Sequence, residues 1–194
     1  MEEMRLPPSL PPPTVEIIDY IAAGLRYPGQ REVVESTLSA LEQYDGSVIA
    51  TGTGTGKTFT AMAVARQRFD EHGASRQIIV AKNDSTITQD NGWLQVGRNF
   101  GFDGDNGPRM MPLPKDLTNL PEGIYYTTHQ KLLRRRDAQR YKWDLSTIDE
   151  SHEARKWYKK DSKLGMSIRT VSDNAKKAVY ISATPFHTIL KLAI

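Results

Sequence analysis

One loop constrains this chain more than any other feature. Residues Ala50-Thr51-Gly52-Thr53-Gly54-Thr55-Gly56-Lys57-Thr58 follow a short apolar run, Ser47-Val48-Ile49-Ala50, and lead into a helix-prone run from Phe59 to Glu71. Small residues alternating with glycines let a backbone curl until its N–H groups converge on one point. That is the chemistry of a phosphate-binding loop. Its N–H groups and the positive end of the following helix hold the anion, Lys57 reaches the β- and γ-phosphates, and the Thr58 hydroxyl can ligate Mg²⁺. Thr51 stands where the strict pattern has its first glycine. As the last residue of a strand it needs no special backbone freedom. Strand, loop and helix in this order predict an α/β chain that binds a nucleoside triphosphate.

The remaining pattern supplies the rest of such a fold. Helices are expected over 15–23, 28–42, 57–72, 86–100, 129–136 and 162–175, where apolar residues recur at helical spacing. Continuous apolar runs at 77–81, 124–127, 145–148 and 178–182 read as buried strands, and 109–113 as a short one inside the Gly- and Pro-rich stretch 101–123. Strands alternating with helices argue for a mainly parallel sheet covered on both faces, a three-layer architecture. Residues 6–13 hold five prolines and read as an extended arm spanning 1–13, leaving 14–194 as a single domain.

A second group of residues carries chemistry. The run Ser146-Thr147-Ile148 ends in Asp149-Glu150-Ser151-His152. In parallel sheets functional groups gather at the carboxyl ends of strands. There Asp149 can hold Mg²⁺ while Glu150 polarises the water that attacks a γ-phosphate. Phosphoryl transfer is mostly positioning and charge stabilisation, so a lysine, a metal and a water-orienting carboxylate form a minimal set. Ser182-Ala183-Thr184 closes the run Ala178 to Ile181, and its hydroxyls can hydrogen-bond the Asp149–His152 loop.

These three texts, in this order, resemble motifs I, II and III of superfamily 2 helicases and translocases of the DExH type. Leu25-Arg26-Tyr27-Pro28-Gly29-Gln30 is similar to the stretch that precedes motif I in that family. The resemblance implies that Gln30 reads the adenine of ATP, with Arg26 nearby, and that Thr53, Gly54, Thr55, Gly56, Lys57 and Thr58 hold the phosphates. Thr58 and Asp149 would ligate Mg²⁺, Lys57, Asp149 and Glu150 would be catalytic, and His152, Ser182 and Thr184 would couple the site to a nucleic-acid track. Val80-Ala81-Lys82 through Trp93 looks like motif Ia of Swi/Snf-type remodellers and type I restriction motors, although Ala81 replaces the usual proline. Ile124 through Leu132 is similar to motif Ib. By those matches Lys82, Trp93, Thr127 and Thr128 would face nucleic acid. The resemblance implies the first of two RecA-like domains, with ATP and Mg²⁺ as ligands, DNA favoured over RNA, and duplex translocation favoured over strand separation. A second RecA-like domain, in cis or in trans, would complete the ATP site.

Composition narrows the alternatives. The chain has no cysteine, which excludes disulfides and thiolate metal sites, and no run long enough to span a membrane. Cytoplasm, nucleoid or nucleus is the expected compartment. Charge is unevenly placed: residues 1–97 carry 8 basic and 12 acidic side chains, residues 98–194 carry 18 and 11. Lys131, Arg134, Arg135, Arg136 and Arg140 form one basic cluster. Arg155, Lys156, Lys159, Lys160 and Lys163 form another, interleaved with Trp157 and Tyr158. Such clusters attract phosphate backbones. A GTPase would need an Asn-Lys-x-Asp base reader, and Ala81-Lys82-Asn83-Asp84 fails it at its first two positions. A non-enzymatic helicase-like regulator or nucleic-acid-binding module is the alternative function.

Overall fold

The computed structural model describes residues 15–52, 54–104, 108–152 and 162–183. Six strands form one sheet in the order β1-β6-β5-β2-β4-β3. They are β1 (Gly46–Ala50), β2 (Arg76–Ala81), β3 (Arg109–Pro112), β4 (Gly123–Thr128), β5 (Leu145–Ile148) and β6 (Lys177–Ser182). Every neighbouring pair is parallel. Parallel strands need crossovers, and the crossovers place helices on both faces.

Side-chain alternation along β2 shows why its apolar run is continuous. Ile79 and Ala81 enter one buried cluster, with Val34, Leu38 and Leu41 of α2 (Gln30–Gln43) and Met62 and Val64 of α3 (Lys57–Glu71). Ile78 and Val80 point the other way, toward Leu132, Trp143, Ile168 and Val171. That second layer is built from α6 (His129–Leu132), α7 (Arg136–Arg140) and α8 (Lys163–Asn174). A strand buried on both faces has no polar side to offer, so its sequence does not alternate.

Three expected helices differ in the structure. The first is only α1 (Asp19–Ala22), because residues 15–18 run extended. Their backbone is held by side chains: Val15 N donates to Ser39 Oγ at 3.2 Å, and Ile18 N donates to Gln67 Oε1 at 3.1 Å. Gln67 Nε2 in turn donates to Glu16 O at 2.6 Å. The stretch 86–100 is broken into α4 (Asp84–Thr88) and α5 (Trp93–Asn99). Asn83 caps α4 by accepting from Thr86 N, and Asn91 interrupts the run with a left-handed φ of 58°. Gly92 then has to be glycine, since a Cβ there would lie 2.7 Å from Gln89 O. The stretch 129–136 holds α6, and α7 begins where that helix was expected to end, at Arg136. The Pro-rich arm lies outside the described residues, as do Arg155 to Lys160 of the second basic cluster.

Candidate active site

Because the strands are parallel, the carboxyl ends of β1, β2, β4, β5 and β6 share one edge of the sheet. Texts far apart in sequence therefore meet there: the glycine loop after β1, Lys82 after β2, Thr127 and Thr128 ending β4, Asp149 after β5 and Ser182 ending β6. The order matters, because β6 sits between β1 and β5. It carries Ser182 into the gap between the loop and the acidic pair.

The loop has the conformation its glycines permit. Gly54 and Gly56 adopt left-handed φ angles of 78° and 73°, and Gly56 caps α3, whose first residues are Lys57 and Thr58. Lys57 Nζ donates to Gly52 O at 2.7 Å and Thr51 O at 3.2 Å. Thr55 Oγ1 lies 2.8 Å from both Thr51 Oγ1 and Gly52 O. Thr51 thus supplies a hydroxyl and a carbonyl that help shape the loop. Thr53 lies outside the described residues.

Gln30 is buried at 4% exposure and spends its whole amide on this loop and its neighbour. Oε1 accepts from Arg26 N at 2.8 Å and Tyr27 N at 2.9 Å. Nε2 donates to Thr55 O at 3.2 Å and Gly56 O at 3.0 Å. An amide offers two donors and two acceptor lone pairs, so none remains for a nucleobase in this arrangement. In this arrangement the expected base reader braces the loop from below. A side chain at Gly56 would run into Gln30 Nε2 and Tyr27, which is a second reason for glycine there. Arg26 lies over the Phe59 ring, 4.3 Å from its centre, and donates to Asn91 Oδ1 at 2.8 Å.

Across the cleft, Asp149 extends the β5–β2 ladder through Asp149 N to Val80 O at 3.0 Å. Its Oδ1 accepts from Glu150 N at 2.9 Å and its Oδ2 from Trp93 Nε1 at 3.1 Å. Its carbonyl lies 2.9 Å from His129 Nε2, the first residue of α6. Burial pushes the Asp149 carboxyl above the ordinary aspartate range; the Trp93 indole pulls it down, the Glu150 charge raises it, and the Glu150 N–H lowers it. Glu150 itself adopts a left-handed φ of 48°. Its Oε2 lies 2.9 Å from His152 Nδ1, and that nitrogen is 3.4 Å from Ser182 Oγ. His152 and Ser182 therefore stand beside the acidic pair. Thr184 lies outside the described residues.

A cleft of about 390 Å³ is lined by Gly54, Gly56, Lys57 and Thr58 on one side and by Asp149 and Glu150 on the other. Its size falls within the range of about 300–1,000 Å³ of small-molecule sites.

One expectation for the nucleic-acid side is overturned. Trp93 is 1% exposed and donates its indole N–H to Asp149, so it cannot offer a ring face to a base. Its signal in sequence was real but its placement was not, because only the fold brings it to a residue 56 positions away. Thr127 and Thr128 are also buried, and Thr128 Oγ1 caps α6 by accepting from Lys131 N at 3.3 Å. Lys82 is exposed. A groove of about 330 Å³ is lined by Asp84, Thr127, Lys131, Arg134 and Arg135. Lys131 is paired with Asp84 at 2.6 Å and Arg135 with Asp137 at 2.6 Å, while Arg134 is exposed. The Arg135 guanidinium holds the Asp137 carboxyl below the usual carboxylate range. Sequence reading assigned His129 no role, although a histidine opening a helix at the carboxyl edge was its only signal.

The six-stranded parallel sheet with helices on both faces is a RecA-like α/β fold. Residues 25–187 match the family model of the type III restriction enzyme res subunit, and the chain belongs to that family, whose domain is a superfamily 2 helicase N-terminal domain. The fold is similar to the SWI2/SNF2 ATPase core of Sulfolobus solfataricus in complex with dsDNA, at TM-score 0.67 and 18% identity, covering 84% of this chain and 33% of that one. The same core without DNA gives TM-score 0.61 at 16% identity, covering 91% of this chain and 36% of that one. A nuclease-deletion mutant of the type ISP restriction-modification enzyme LlaGI, in complex with a DNA substrate mimic, gives TM-score 0.59 at 17% identity, covering 82% of this chain and 17% of that one. The chain thus spans about a third or less of the length of these solved relatives. No curated protein matches. Among the described residues no helix is long and apolar enough to cross a membrane.

Proposed function

We propose that this chain is the ATP-binding first motor domain of a superfamily 2 DNA translocase, hydrolysing ATP when joined to a second RecA-like domain. The observation that carries the reading is the single cleft in which Lys57 and Thr58 face Asp149 and Glu150. Lys57 already bonds to loop carbonyls, so a triphosphate would draw its ammonium from Thr51 O and Gly52 O onto phosphate oxygens. The glycine loop and the N-terminus of α3 supply backbone N–H groups to the same phosphates. Glu150, held beside His152, accepts a hydrogen bond from the attacking water and orients it.

The donor set also fits Mg²⁺. Thr58 offers a hydroxyl and Asp149 a carboxylate, and both line the cleft. Among the described residues no cluster of three or more His, Cys, Asp or Glu side chains makes a metal centre by itself. A metal held by one or two protein oxygens, with phosphates and water as its other ligands, is the usual Mg²⁺ arrangement. When bound it would neutralise charge on the β- and γ-phosphates.

DNA would lie along the same sheet edge, over Lys82 and Arg134, and the dsDNA and DNA-mimic complexes of the solved relatives favour DNA over RNA. Equilibrium binding of a fluorescent ATP analogue tests the site: Lys57→Ala should weaken it at least ~10-fold through lost charge-assisted hydrogen bonds. Glu150→Gln should leave that affinity nearly unchanged while removing turnover in the two-domain protein. Unchanged affinity in Lys57→Ala would remove the assignment. The chain alone should turn over slowly, because an arginine finger can be worth ~10³–10⁵ in rate.

A further inference from the structure

We propose that Trp93 is a positioning residue for Asp149, setting the carboxylate that the metal of a bound Mg²⁺–nucleotide would engage. The inference rests on the nucleotide-site reading above and extends it to a residue on a different element. Asp149 carries one hydrogen bond on each oxygen, Oδ2 from Trp93 Nε1 at 3.1 Å and Oδ1 from Glu150 N at 2.9 Å. Two donors on opposite oxygens fix the rotation of the carboxylate and leave each oxygen a lone pair for a further ligand. One donor belongs to the residue next in sequence and moves with it. The other comes from α5 and is anchored independently.

That anchoring is extensive. Trp93 is buried at 1% exposure, and Gly92, which caps α5, is packed too tightly against Gln89 O to carry a side chain. Asn91, one residue earlier, receives Arg26 Nη1 at 2.8 Å and donates its own N–H to Gln95 Oε1 at 2.8 Å. The indole therefore cannot follow Asp149 if the carboxylate turns. A buried indole N–H also needs an acceptor, so the contact holds both partners. Outer-shell donors to metal-binding side chains act in this way, and their loss costs about 10–100-fold in metal affinity.

The test separates metal-linked from metal-independent binding. Affinity of the full chain for a fluorescent ATP analogue is measured with excess Mg²⁺ and with EDTA, for wild type, Trp93→Phe and Lys57→Ala. Phenylalanine keeps an aromatic ring and removes the donor; the smaller ring also lowers stability, but that loss is the same with Mg²⁺ and with EDTA and cancels in the ratio. The ratio of the two affinities should fall about tenfold in Trp93→Phe. An unchanged ratio, or equal losses in both conditions, would overturn the proposal by reducing Trp93 to a packing role. Lys57→Ala reports on the nucleotide site itself, so a failure there is recognised separately. Should Trp93→Phe lose its cooperative thermal transition, the emission of Trp93 itself decides. ATP with Mg²⁺ should change the emission of an otherwise unaltered Trp93 and ATP with EDTA should not, in a Trp143→Phe, Trp157→Phe background where Trp93 is the one tryptophan left. No magnesium-dependent change would count against the proposal.

Discussion

Gln30 is expected from the resemblance to read the adenine, and its contacts in the structure give it a second task. Its four hydrogen bonds join the 26–27 backbone to Thr55 O and Gly56 O, so it acts on the shape of the phosphate loop. A residue that shapes the loop affects every triphosphate alike. A residue that reads the base affects only ATP, because a site built to bond one edge rejects an analogue lacking it. Gln30→Ala is therefore expected to weaken ATP and GTP binding by the same factor, leaving their ratio unchanged in parallel titrations. It should also lower stability by about 1–3 kcal/mol, since buried backbone groups lose partners. A loss confined to ATP would restore the base-reading role.

At the level of elements, the helices are tied together by buried amides as well as by apolar contact. Gln67 of α3 is fully buried, and its side chain reaches Glu16 O, Ile18 N and Glu71 Oε2. It takes over the backbone groups of a segment whose apolar spacing predicted helix. Gln67→Leu keeps the volume and removes these partners. It should cost about 2–3 kcal/mol through unsatisfied backbone groups. The cost should appear in limited proteolysis as early cleavage near residues 15–18; an unchanged digestion pattern would refute the strap. The same contrast explains what was legible beforehand. The strands at 145–148 and 76–81 were readable to within a residue, because a strand buried on both faces has a local signature in its own apolar run. The helix break at Asn91 and Gly92 was not, because it answers to close packing against Gln89 O and to Arg26, neither visible in local periodicity. The phosphate loop and acidic pair were legible as text. Trp93 and Gln30 could be singled out, but their contacts could not be foreseen, since their partners lie 56 and 25 or 26 positions away.

For the molecule as a whole, the parallel sheet forces every functional text to one edge, and charge follows the same geometry. Lys82 follows β2 at the carboxyl edge, and Arg134 lines the groove there. Lys176 precedes β6 at the amino edge, where it is paired with Asp144 at 2.6 Å. Under the proposed reading only the first edge meets DNA. Each phosphate contact releases a counterion, so the logarithm of affinity falls with the logarithm of salt concentration by about 0.9 per contact on duplex DNA. Lys82→Ala and Arg134→Ala should each flatten that slope by about one contact and weaken binding evenly across sequences. Lys176→Ala should leave it unchanged although it removes the same formal charge. Fluorescence anisotropy with a short duplex across a salt series measures all three. Equal flattening by all three would mean that the protein's net charge, not the carboxyl edge, attracts DNA, and the proposed track would fall.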